Sequence, residues 1–113
     1  MGDRATVVVY GTGPTPIYLY SHWGGKSVYS AVQRVLARRL RWNDSSYLTA
    51  MLYDGIRNKE DFGKETGYGI STEVPDYEYA PIAVDITHQT VAINEPGLGF
   101  MSFEEFLKVD VDI

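Results

Sequence analysis

The apolar positions of this 113-residue chain change period several times, and each change marks an element. Thr6 to Tyr10 is a β-branched run that predicts a strand. Gly11 to Pro16 is turn chemistry. From Ile17 to Ser21, Ile17 and Leu19 alternate with Tyr18 and Tyr20, the period-two signature of a strand with one aliphatic and one aromatic face. The two strands read as a hairpin. From Ser27 to Trp42, Val28, Val32, Val35, Leu36 and Leu40 recur every three or four residues, which predicts an amphipathic helix. Asn43-Asp44-Ser45-Ser46 then offers N-caps for a second helix, with Leu48, Met51, Leu52 and Ile56 on one face and Gly55 weakening its end.

Lys59 to Thr66 is charged and aperiodic, and reads as a loop. Tyr68 to Thr72 reads as a short strand and Tyr77 to Ala80 as extended chain. Ile82 to Ile86 and Thr90 to Ile93 are strands on either side of a turn at Thr87-His88-Gln89, and Glu95 to Gly99 is a further turn or loop. Ser102 with Glu105 is a capping-box signature for a short helix bearing Phe103, Phe106 and Leu107. In the tail, Val109, Val111 and Ile113 alternate with Asp110 and Asp112, a pattern suited to a sheet edge. The order β-β-α-α-β-β-β-α predicts one α+β domain over residues 1–113. It would be a mainly antiparallel sheet of about five strands on two main helices, plus a short C-terminal helix.

Composition narrows the class. With 44% hydrophobic residues the chain is ordinary globular material, and with no cysteine it has neither a disulfide framework nor a thiolate site. No apolar run is long enough to span a membrane and no secretory signal is visible, so a cytoplasmic protein is expected. Met1 to Thr6 fits the letters of a myristoylation signal but reads as the approach to a strand. Asn43-Asp44-Ser45 fits a glycosylation triplet, which without a secretory signal is read as a helix cap.

Charge divides the chain. Residues 1–59 carry 8 basic and 3 acidic side chains, residues 60–113 carry 2 basic and 12 acidic ones, and the net charge is −5. That balance argues against general nucleic-acid binding, which draws its affinity from phosphate neutralisation. It leaves room for a local basic face. Arg34, Arg38 and Arg41 hold helical spacing and form a stripe, solvated or set against an acidic surface. The acidic half of a second copy is one such surface, which would give a homo-oligomer.

The densest candidate chemistry lies in Ile17 to Ser27, where an aromatic strand runs through Ser21-His22-Trp23 into a Gly24-Gly25 turn and a helix opening near Lys26. A helix start offers backbone N–H donors and a positive dipole end, and glycines allow close approach. Trp23 and Tyr20 offer stacking faces, Ser21 and His22 polar contacts, and Lys26 a cation. Tyr68, between Gly67 and Gly69, adds another ring. The candidate ligand-binding set is therefore Tyr20, Ser21, His22, Trp23, Gly24, Gly25, Lys26 and Tyr68. Each has a plainer explanation: a helix start that needed glycine, a lysine for solubility, a capping histidine, tyrosines in the core.

Better-known motifs fail on single residues. Gly11-Thr12-Gly13 would need a third glycine at Pro16 to be a dinucleotide fingerprint, and reads as a hairpin turn. Gly25-Lys26-Ser27 would need glycine at Tyr20 to complete a P-loop. His22 and His88 are the only histidines, with no zinc-type spacing, so no metal and no cofactor is expected. Adjacent Ser21 and His22 on a strand point to opposite faces and are not a nucleophile–base pair. No catalytic residues are assigned.

Met1-Gly2-Asp3-Arg4-Ala5, Tyr18-Leu19-Tyr20-Ser21-His22-Trp23-Gly24-Gly25 and Thr66-Gly67-Tyr68-Gly69-Ile70 together resemble a family of small, functionally uncharacterised proteins of bacteriophages and actinobacterial genomes. The resemblance spans most of the chain and brings no catalytic residues with it. It implies a viral accessory protein in the host cytoplasm, and by analogy of size and origin a counter-defence role. The leading expectation is a non-catalytic sponge for a small nucleotide-derived immune signal, such as a cyclic ADP-ribose-like or cyclic-nucleotide molecule. The alternatives are a small hydrolase of the same signals with His22 as general base, and a protein–protein interaction module, suggested by the charge split.

Overall fold

The computed structural model describes residues 4–22, 24–57, 67–75, 79–93 and 99–111. The expected loop at Lys59 to Thr66, the extended chain around Tyr77, the turn at Glu95 to Leu98, the N-terminal lipidation letters, Trp23 and the last two tail residues lie wholly or largely outside them. Six strands and three helices follow in order: β1 (Ala5–Tyr10), β2 (Ile17–Ser21), α1 (Ser27–Ala37), α2 (Ser45–Ile56), β3 (Tyr68–Ser71), β4 (Ile82–Asp85), β5 (Thr90–Ile93), β6 (Gly99–Ser102) and α3 (Phe103–Phe106).

The strands form one sheet in the order β3-β2-β1-β4-β5-β6. Every neighbouring pair is antiparallel except β1 with β4. The α+β reading with a mainly antiparallel sheet therefore holds. The structure adds the parallel central pair and β6, whose Gly99 was read as loop and whose Ser102 was read only as a cap.

Strand alternation separates the two faces. Val7 aligns with Leu19 on β2, and Val7 and Val9 align with Ile82 and Val84 on β4, which align in turn with Ile93 and Val91 on β5. All of these are fully or almost fully buried and meet Val28, Val32 and Leu36 of α1 and Leu48 and Leu52 of α2 in one core. The opposite face carries Thr6, Val8 and Tyr10 of β1, Tyr18 and Tyr20 of β2, Ala83 of β4 and Ala92 of β5. β1 occupies the middle of the sheet because its valines are apolar on both faces. Even Val8, on the face away from the helices, is buried.

α1 stops earlier than its periodicity predicts. The Arg38 and Arg39 N–H groups donate to Val35 and Leu36 in a tightened last turn, and Arg39 then takes a left-handed φ of 58°. The Trp42 indole N–H donates to the Leu36 carbonyl at 3.0 Å, taking the acceptor that a further helical turn would use. Trp42 also packs edge-on against Phe103, so the bend is fixed by tertiary packing. The stripe Arg34, Arg38, Arg41 is broken as a result. Arg41 lies beyond the helix at φ 60°, with its guanidinium 4.4 Å above the Tyr47 ring and 3.2 Å from the Asp44 carboxylate.

α2 starts as expected at Asp44, whose carboxylate accepts the Tyr47 N–H. Gly55 has a packing role: a Cβ there would stand 2.5 Å from Val35 Cγ2, so glycine lets α2 cross close over α1. α3 carries the expected capping box, with Ser102 Oγ accepting from the Glu105 N–H at 3.0 Å and the Glu105 carboxylate accepting from the Ser102 N–H at 2.8 Å. The described part of the tail does not join the sheet. Val109 and Val111 pack on the core, and the Gln33 amide of α1 donates to the carbonyls of Phe106 and Val109.

Candidate functional site

The turn between β2 and α1 is built from within. Ser21 is 1% exposed on the helix side of the sheet, and its hydroxyl accepts the Gly24 N–H at 2.7 Å. A Cβ on Gly24 would stand 2.4 Å from that same hydroxyl oxygen, so Ser21 and Gly24 fit as a pair. Gly25 is buried and left-handed at φ 53°, a conformation that favours glycine. Lys26 is exposed at the N-cap and makes no side-chain cap.

The first N–H groups of α1 are already in use. Ser27 donates to the Gly24 carbonyl at 3.0 Å, Val28 to Gly25 at 3.3 Å and Tyr29 to Lys26 at 3.1 Å. The phosphate cradle expected at this helix start therefore lacks those three donors. The reason is local: the tight glycine turn folds its own carbonyls back under the first helical turn.

Tyr20 and His22 come together elsewhere. They line a cavity of about 450 Å³ at the end of the sheet, with Arg4 just ahead of β1. The chain leaving β3 lines the other side with Ser71, Glu73, Val74 and Pro75, and the cavity is open to solvent. Arg4 and His22 stand one step beyond the last paired residues of the hairpin, Ala5 and Ser21. The His22 N–H donates to the Gly67 carbonyl at 2.8 Å, which ties this strand end to the approach of β3. Ser71 Oγ accepts the Glu73 N–H at 2.9 Å and sets the bend of the cavity wall.

Tyr20 is held from below. It pairs across the strands with Gly69, and a Cβ at Gly69 would lie 2.3 Å from Tyr20 Cε1. The absent side chain gives the phenol room to lie over the β3 backbone. On its other flank Tyr20 pairs with Thr6, which is 1% exposed and whose hydroxyl finds no hydrogen-bond partner among the described residues.

The expected set thus divides. Tyr20 and His22 share the cavity. Ser21, Gly24, Gly25 and Lys26 form the adjoining turn but do not line it. Tyr68 pairs with Ser21 and so lies on the helix side of the sheet, across from Tyr20. Trp23 lies outside the described residues. Arg4 and Glu73 are the charged groups that sequence reading missed. The signal for Arg4 was its parity with Thr6 and Val8, combined with a hairpin register that sets it opposite His22.

Among the described residues, no group of three or more histidine, cysteine, aspartate or glutamate side chains is placed to hold a metal ion. No described helix is long and apolar enough to cross a membrane. No protein-family model, curated protein or solved structure matches the chain.

Proposed function

We propose that this protein binds a small anionic, ring-containing ligand, of the nucleotide-derived class, in the cavity between Arg4, Tyr20 and His22. The observation that carries the reading is the convergence there of a guanidinium, an imidazole and a phenol ring backed by glycine. In this reading Arg4 and His22 meet the phosphate, and the base stacks on Tyr20. Stacking on one aromatic ring contributes about 1–3 kcal/mol per base, enough for useful affinity beside one charge-assisted phosphate contact. The phosphate contact moves from the helix start at Lys26 to Arg4.

The resemblance to phage proteins favours sequestration of a host immune signal, such as a cyclic ADP-ribose-like or cyclic-nucleotide molecule. The competing reading, a hydrolase with His22 as general base, differs in one readout. Purified protein exposed to a nucleotide panel, then heat-denatured, returns the intact ligand to mass spectrometry if it is a sponge and a product if it is an enzyme. Failure of every nucleotide to bind or to raise the melting temperature would overturn both.

A further inference from the structure

A second concave surface lies between α1 and α2. It is an open groove of about 970 Å³. Its floor is apolar and low, made by Ala31 and Val35 of α1 and by Ala50, Met51 and Gly55 of α2. Among the described residues, its rim carries Arg34, Arg38 and Arg57 against one carboxylate, Asp54. Ala31, Arg34, Val35 and Arg38 repeat at intervals of three and four, as do Ala50, Met51 and Asp54. Two such rows side by side form the seam into which a third helix packs.

The linker after α1 supports a use for this seam. Leu40 lines the groove and is 52% exposed. It sits between Arg39 and Arg41, both left-handed, at φ 58° and 60°. A non-glycine residue takes that conformation at a cost, and two flanking one leucine are unusual. Both arginine side chains are committed elsewhere. The Arg39 guanidinium donates to both oxygens of the Glu104 carboxylate and lies 5.3 Å from the centre of the Trp42 ring. Arg41 is held by Asp44 and Tyr47. The bend thereby presents Leu40 at the end of a basic, apolar-floored groove instead of burying it.

We propose that the α1–α2 groove docks an acidic amphipathic helix of a partner protein, with Leu40 and Met51 meeting its apolar residues and Arg34, Arg38 and Arg57 its carboxylates. A cationic rim on a chain of net charge −5 selects an acidic partner. A second copy is the poorer fit. Of its six described acidic groups outside the groove, Glu73 and Asp110 lie on no helix, and the other four are held: Glu104 by Arg39, Glu105 in the α3 cap, Asp44 at the start of α2 and Asp85 by His88. None of these four lies on a helix that offers an exposed apolar stripe.

The test uses the full chain and a fluorescein-labelled helical peptide with leucine at heptad a and d positions and glutamate elsewhere. A matched peptide with lysine for glutamate is the control. Anisotropy titration should show saturable binding of the acidic peptide only, weakened at least tenfold between 50 and 300 mM salt, values chosen to span the fall in screening length. Arg34→Glu with Arg38→Glu should weaken it at least tenfold. Leu40→Ser should weaken it without changing the salt dependence. All three positions are exposed, and the melting temperature of each variant shows that it is folded at the assay temperature, which keeps the comparison valid. Equal binding of both peptides, binding of neither, or indifference to the arginine reversals would overturn the proposal. So would a concentration-dependent dimer, seen by sedimentation, that the same reversals abolish, because the groove would then belong to a second copy.

Discussion

Gly69→Ala tests how the Tyr20 platform is made. The new methyl carbon would stand 2.3 Å from Tyr20 Cε1 and 2.8 Å from Cδ1. Comfortable carbon–carbon contact begins near about 3.5 Å, so the ring must retreat by about 1 Å or more. Overpacking of this kind costs about 1–3 kcal/mol. Against it, replacing glycine in backbone that alanine tolerates contributes about 0.4–1 kcal/mol through the unfolded state. The expected net loss is about 1–2 kcal/mol, or roughly 4–8 °C in melting temperature for a chain of this length. Ligand affinity should fall about tenfold, because the stacking face leaves its place. Calorimetry and nucleotide titration of Gly69→Ala, in wild-type and Tyr20→Ala backgrounds, separate the causes. If the alanine costs as much stability without the Tyr20 ring as with it, the reasoning is refuted.

Ser21→Ala should destabilise by about 1–3 kcal/mol in chemical denaturation, because it strips the Gly24 N–H of its buried acceptor, while leaving ligand affinity unchanged. Loss of affinity with unchanged stability would instead make Ser21 a ligand contact. Leu52→Ala, at 0% exposure between α2 and the sheet, should cost about 2–5 kcal/mol in the same assay. Acid should loosen α3. The Arg39 hydrogen bonds hold the Glu104 carboxyl below its ordinary range, and the Ser102 backbone N–H holds Glu105 down likewise. A depressed carboxyl contributes stability above the unfolded value, about pH 4.3, and loses it as pH falls through the folded value. Melting temperatures from pH 7 to pH 3 should therefore fall less steeply for Arg39→Gln than for wild type, and identical slopes would count against the Arg39–Glu104 contribution.

Elements carried by local signals were legible in the sequence. The alternation of Ile17 and Leu19 with Tyr18 and Tyr20, the Asp44 cap and the Ser102–Glu105 capping box each name their structure within a few residues. What escaped depends on distant partners. The parallel pairing of β1 with β4 joins positions 75 residues apart and has no local signature. The end of α1 was misplaced because Leu40 keeps the helical period, whereas the Trp42 indole takes the Leu36 carbonyl from across the bend. The candidate site was half visible for the same reason. Tyr20 and His22 stand in one aromatic segment, but Arg4 and Glu73 reach them only through the register of the hairpin and the path of the chain after β3. Gly24 and Gly25 were read as room for a ligand, whereas they make room for Ser21 and for the turn itself.

In the function proposed above, a nucleotide-class ligand occupies the sheet-end cavity and not the helix start. Amide and side-chain chemical-shift mapping during titration with a nucleotide that raises the melting temperature tests it most directly. Saturable shifts are expected at Arg4, Tyr20, His22, Ser71 and Glu73, lost in Tyr20→Ala and Arg4→Gln, with the amides of Ser27 and Val28 unmoved. Shifts centred on Gly25 to Val28, with the cavity silent, would contradict it.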